Sequence, residues 1–121
     1  LELSGGTPFS EPNTPIRKGD LDLLGEVFYK DAAKRLRPLI DIPLILVGGV
    51  RSPQSVEMIL AEGLAVFVAL SRPLIREPFL IKEWKNGRTE RATCVSCNLC
   101  FRPLMTGKGL YCVVEKKKKN Q

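Results

Sequence analysis

Two short runs constrain this chain more than anything else in it: Ile42 to Val47, within DIPLILVGGV, and Ala65 to Leu70, within AVFVALSRPL. Both are apolar, and neither alternates with polar residues. That is how a strand reads when it is covered on both faces, as in a parallel sheet. Between them RSPQSVEMILAEGL carries helix signals. Ser52 suits an N-cap, Pro53 the first helical position and Gly63 the C-terminal stop. Val56, Ile59, Leu60 and Leu64 form its apolar stripe. Strand, helix and strand in this order predict parallel pairing with a right-handed crossover.

The flanking segments extend that pattern. LELSG opens as an alternating strand and stops at Gly5-Gly6. TPFSEPNTPIRKGD, rich in proline, reads as a long ordered loop or lid. LDLLGEVFYKDAAKRLRPLI has apolar Val27, Phe28, Ala32, Leu36 and Leu39 near helical spacing, and Pro38 ends the predicted helix. REPFLIKEWKNGR predicts a shorter helix that closes near Gly87. The order is βαβαβα, an α/β architecture. Regular patterning stops after Arg91. We therefore expect a parallel α/β unit over residues 1–91, a cysteine-cluster extension over 92–115 and a basic tail over 116–121.

At 121 residues the chain is long enough for one modest domain. Its 44% hydrophobic and 26% charged content suits a globular fold. No apolar run approaches the roughly 18–20 residues of a membrane span, so no membrane partner is expected. The start has no basic region before an apolar stretch, which points to a cytoplasmic setting. It lacks Met and begins inside a strand, so a fragment of a longer polypeptide is expected. The net charge of +6 owes four charges to Lys116, Lys117, Lys118 and Lys119, a run that reads as a solvated end. Few aromatics and no basic stripe through the body argue against nucleic-acid binding.

The chemistry concentrates in two loops and a cysteine cluster. Ligands collect at the carboxyl ends of parallel strands. Gly48-Gly49 leaves the first run with bare N–H groups, and the next helix adds its positive N-terminal end. Ser71 and Arg72 leave the second run at the same height, and an arginine can fork two hydrogen bonds onto a phosphate. Together they predict a phosphate site, of the kind found after strands seven and eight of a βα barrel. Cys94, Cys97, Cys100 and Cys112 have the spacing C-x2-C-x2-C-x11-C. Zinc ribbons present two separated C-x2-C knuckles, whereas three close cysteines with a remote fourth are nearer a cubane iron–sulfur pattern. A 4Fe-4S cluster, zinc, and reduced thiols with Cys112 packed as a small hydrophobe are the three readings of this segment.

IPLILVGGVRSPQSVEMILAEGLAVFVALSRPLIREP resembles the last two βα units of the Old Yellow Enzyme-like NADH:flavin oxidoreductases, the family that includes the 2,4-dienoyl-CoA reductases. LELSGG resembles their sixth strand, PNTPIR the segment after it, and CVSCNLC the cluster that follows their barrel. The resemblance implies an α/β fold: the C-terminal fragment of a TIM (β/α)8 barrel, about its last three βα units, with a cysteine-rich extension. It implies FMN, with Gly48, Gly49, Ser71 and Arg72 at its phosphate and Ser4 near the flavin mouth. The family usually has Gly where this chain has Ser71. It further implies NAD(P)H as the reductant, an activated alkene as the substrate, and a 4Fe-4S cluster on Cys94, Cys97, Cys100 and Cys112 that relays electrons to FMN. The third gap in this cysteine spacing, between Cys100 and Cys112, is a residue shorter than is usual in those relatives.

The family's first five strands have no counterpart here, nor does its substrate-binding histidine, since the chain has no His. A full barrel needs about 200–250 residues or more. We therefore expect the isolated chain to lack turnover and, having open strand edges, to self-associate. A non-catalytic module with a four-cysteine metal site is the alternative expectation. Trp84 and Phe79 are expected to cover the exterior and Met58 to pack in the core. Arg17 is read as a solvated arginine rather than a ligand contact.

Overall fold

The computed structural model describes residues 1–7, 9–10, 17–19 and 25–119. Most of the predicted loop around PNTPIR, and the first residues of the helix predicted after it, lie outside them. Three parallel strands form one sheet in the order β1 (Glu2–Leu3), β2 (Ile45–Val47), β3 (Phe67–Ala69). Leu3 is level with Leu46, and Leu46 with Val68. The strands are shorter than their apolar runs. Pro43 brings no N–H to a ladder, and Leu1 hands its carbonyl to Ile45 N at 2.7 Å before β1 turns away.

Helix α2 (Pro53–Ala61) forms as its signals dictate. Ser52 is extended and its Oγ accepts from Ser55 N at 3.2 Å. Gly63, in the left-handed region, ends the helix. Helix α1 is a correction to the sequence reading. It spans only Lys30–Leu36, followed by a 3₁₀ turn at Arg37–Leu39 that contains Pro38. Val27 lies at φ 58°, a left-handed setting that a β-branched residue tolerates poorly and that no helix contains. The shorter predicted helix is α4 (Leu80–Lys85), which starts only after Pro78, and the loop expected at Ser71-Arg72-Pro73 instead opens a short helix, α3 (Arg72–Arg76). Two further helices, α5 (Phe101–Met105) and α6 (Val113–Lys119), lie in the cysteine segment. The four terminal lysines belong to α6, so the basic run is helical through Lys119 rather than a structureless tail.

The core lies between the sheet and α1–α2. Ala33, Leu44, Leu46 and Ile59 are fully buried, with Val27, Val50, Leu64 and Ala65 around them. Burying a side chain of the Leu or Ile size contributes roughly 1.5–3 kcal/mol. Met58 packs against this core as expected, and its Sδ also accepts from Lys30 Nζ at 3.0 Å. The outer face is less covered. Phe67 on β3 is 63% exposed, Val66 before it 49% and Phe79 70%. Trp84, Ile81, Leu60 and Phe67 line an open groove there. Trp84 is half-buried and donates its indole N–H to Glu90 O at 3.0 Å.

Candidate functional site

The two predicted loops do meet. Val47 is level with Ala69, so Gly48-Gly49 and Ser71-Arg72 leave the sheet side by side. Gly48, Gly49, Ser71 and Arg72 line one cleft of about 150 Å³, together with Phe28, Arg51 and Phe101. Both glycines need their identity. Gly48 lies at φ +106° and Gly49 at φ +80°, and a Cβ on Gly49 would stand 2.6 Å from the Phe28 ring. The close approach in this structure is thus to an aromatic ring. Arg17 stacks on that ring, its guanidinium 4.4 Å from the centroid. Arg17 is therefore packed, not the solvated arginine expected from sequence. Tyr29 lies against Gly48 and donates its hydroxyl to Gly5 O at 2.7 Å.

Helix α2 does not offer its N-terminus to a ligand as the sequence suggests, because a carboxylate of the chain already lies there. Glu26 is fully buried. Its Oε2 accepts from Arg51 N at 3.0 Å, Ser52 Oγ at 3.0 Å and Ser55 Oγ at 2.5 Å, while its Oε1 pairs with Arg91 at 3.1 Å. The donors left for an anion are the glycine loop and the arginines. Arg72 uses Nη1, donating to Arg17 O at 2.8 Å and Asn98 Oδ1 at 2.5 Å. Arg51, absent from the sequence prediction, is 3% exposed and lines the same cleft. It donates to Val50 O at 2.8 Å and Ser96 Oγ at 2.9 Å, and its Nε is buried with no hydrogen-bond partner among the described residues. Burial holds this guanidinium below its ordinary range. Two guanidinium groups, one with an orphaned donor, and two glycine N–H groups at a strand end fit a phosphate monoester. Ser71 is exposed beside them, and Ser4, beyond β1, is exposed and lines none of this cleft.

The cysteine segment is fastened to this region. Arg51 O accepts from Ala92 N at 2.6 Å, and Glu77 Oε2 accepts from Thr93 N at 2.6 Å. Ser96 and Asn98 both take left-handed backbone, φ 53° and 61°, which lets the loop turn sharply. Cys94, Cys97, Cys100 and Cys112 line one small pocket of about 20 Å³, whose wall includes Arg72 and Arg76. Burial pushes the Cys100 thiol above its ordinary range, Cys94 and Cys97 add to this, and Arg72 opposes it. Among the described residues no three His, Cys, Asp or Glu side chains are grouped closely enough to hold one metal ion.

Fold and site together define an α/β protein with parallel strands and a polar cleft at their carboxyl ends. The chain belongs to the NADH:flavin oxidoreductase / NADH oxidase family, whose model matches residues 13–91. It is 44% identical over 68 residues to an NADH oxidase of Thermoanaerobacter brockii, covering 55% of this chain and 10% of that protein. It is 35% identical over 82 residues to a 4,4'-dithiodibutanoate disulfide reductase of Rhodococcus erythropolis, covering 68% of this chain and 20% of that protein. A bilirubin reductase of Clostridium symbiosum is 30% identical over 102 residues, 79% of this chain and 26% of that protein. The chain thus spans about a quarter or less of the length of these relatives. Among the described residues no helix is long and apolar enough to cross a membrane.

Proposed function

We propose that this chain is the C-terminal part of an FMN-dependent NAD(P)H oxidoreductase of the ene-reductase type, built from the last three βα units of an eight-stranded barrel. The observation that carries this is the meeting of Gly48, Gly49, Ser71 and Arg72 in one cleft beyond adjacent parallel strands. These residues hold the FMN phosphate. The glycine N–H groups and the Ser71 main chain supply short neutral donors, and the free edge of the Arg72 guanidinium supplies charge. When bound, FMN supplies hydride transfer from NAD(P)H to an activated alkene. The role of this segment is to anchor and orient the phosphate end. With only three strands of a barrel, it does not turn over alone. The cytoplasm is its setting, with neither nucleic acid nor membrane as partner.

Cys94, Cys97, Cys100 and Cys112 hold a 4Fe-4S cluster in the same reading, and their packing beside Arg72 supports it. The alternative is a non-catalytic module with a zinc on the same four thiols.

Flavin separates the two. The natural polypeptide carrying this segment is expected to bind FMN much more tightly than riboflavin. Arg72→Ala is expected to weaken FMN by about 10-fold to 100-fold, the scale of a hydrogen bond to a charged group, and to leave riboflavin unaffected. Anaerobic reconstitution with iron and sulfide is expected to give a cluster absorbance that Cys97→Ser abolishes. A colourless protein with one tightly held zinc would overturn the oxidoreductase reading in favour of the module.

A further inference from the structure

The cleft and the cysteine loop share their arginines. Arg72 lines the cleft and also the thiol pocket, and its Nη1 donates to Asn98 Oδ1. Arg51 lines the cleft and donates through Nη2 to Ser96 Oγ. Ser96 and Asn98 flank Cys97, and each is the acceptor for one guanidinium. We propose that Ser96 and Asn98 are positioning residues for the phosphate cleft, so that anion binding there and ordering of the cysteine loop are energetically coupled. The proposal rests on the reading of the cleft as a phosphate site.

An unanchored arginine loses rotamer freedom when it closes on an anion, and that loss weakens binding. Here the Asn98 amide oxygen and the Arg17 carbonyl fix the Arg72 plane in advance through Nη1. One edge of the guanidinium thus faces the loop while another is left for phosphate. Arg51 is fixed more firmly. It is buried, held by Val50 O and Ser96 Oγ, and left with an unpartnered Nε among the described residues. An anion in the cleft adds negative charge beside the buried Arg51 guanidinium and so favours the arrangement that holds Ser96. Coupling is reciprocal: whatever orders the loop favours the anion by the same factor. The left-handed backbone of Ser96 and Asn98 accompanies side chains that turn back to the cleft arginines rather than along the loop. This gives those residues a role distinct from that of the cysteines beside them.

The test uses the full chain, reduced and metal-free, with inorganic phosphate as the probe and chloride at equal ionic strength as the control. Affinity is read from amide resonances of Gly48 and Gly49. Loop order is read from the rate at which iodoacetamide alkylates Cys97, which is exposed. In the wild type, saturating phosphate is expected to slow that alkylation, and Arg72→Ala is expected to abolish binding. Asn98→Gly permits the left-handed backbone and removes the acceptor, while also freeing the backbone there. It is expected to weaken phosphate by about fivefold or more, the lower bound of typical coupling, and to uncouple Cys97 alkylation from phosphate. Ser96→Ala tests the Arg51 tie independently and is expected to act in the same direction. Absence of phosphate binding by the wild type would overturn the cleft reading and the coupling with it. Phosphate binding that is lost in Arg72→Ala but unchanged in both loop variants, with alkylation indifferent to phosphate, would overturn the coupling alone.

Discussion

Replacing Glu26 by Gln tests whether the buried carboxylate organises the loops around the cleft. The side chain keeps its size, so the change is one of charge and hydrogen-bond capacity. In the wild type Oε2 accepts three hydrogen bonds, from Arg51 N, Ser52 Oγ and Ser55 Oγ. An amide carbonyl placed there accepts them without the charge. The amide NH2 then faces Arg91, replacing an ion pair at 3.1 Å by donor against donor. Each hydrogen bond to a charged group is worth about 1.5–3 kcal/mol, but bonds sharing one atom do not add. Arg91 is 36% exposed, so water screens much of the charge left behind, and the expected loss for Glu26→Gln is about 1.5–3 kcal/mol, the scale of a hydrogen bond to a charged group. The chain has one tryptophan, Trp84, so urea unfolding followed by its fluorescence reads the change directly. Ser55→Ala, which removes a single donor, is expected to cost about 1 kcal/mol. A Glu26→Gln variant within about 1 kcal/mol of wild type would refute the reasoning, because a net hydrogen bond alone is worth that much.

Three other outcomes rest on the same structure. Gly49→Ala, which places Cβ 2.6 Å from the Phe28 ring at φ +80°, is expected to destabilise the chain by roughly 2–4 kcal/mol in the same urea assay, combining left-handed strain with overpacking. Glu77 is held below the usual carboxylate range: burial opposes this, but hydrogen bonds from Arg88 and Thr93 N prevail. Its contribution is therefore full above about pH 4.5 and is lost as pH falls through the lower folded value; amide exchange at Thr93 is expected to accelerate below that point, and Glu77→Gln to show no such acid limb. Because among the described residues β1 and β3 each pair on one side only and Phe67 is 63% exposed, the isolated chain is expected to self-associate through these edges, and a monodisperse monomer in sedimentation at high concentration would contradict that.

Much of the framework is legible in the sequence because it rests on local rules. The caps of α2, the apolar runs of β2 and β3, and the pairing of Gly48-Gly49 with Ser71-Arg72 need only periodicity and loop chemistry. Helix α1 reads too long because apolar spacing from Val27 to Leu39 looks helical, while Val27 takes left-handed backbone next to Glu26, whose partners Arg51 and Arg91 are distant in sequence. Arg51 escapes the sequence for a related reason: burial of an arginine is a tertiary property, and its only sequence signal is its place after the strand and glycine turn. Asn98 carries a better clue, since Asn between cysteines suits left-handed backbone. The four thiols line one pocket, yet spacing alone contains nothing about how far apart their sulfurs stand.

Arg51 also changes what counts as a separable part of this chain. Its carbonyl receives Ala92 N, and its guanidinium takes Ser96 as acceptor, so one residue of the strand–helix turn holds the cysteine segment by both main chain and side chain. The composition of the sequence changes at Arg91, but the physical joint lies about forty residues upstream of that break. A chimera that exchanges residues 92–119 between relatives at the compositional boundary would leave this clasp with a foreign partner. The transferable unit is discontinuous: the cysteine segment together with the residues that fasten it, Arg51, Arg72 and Glu77.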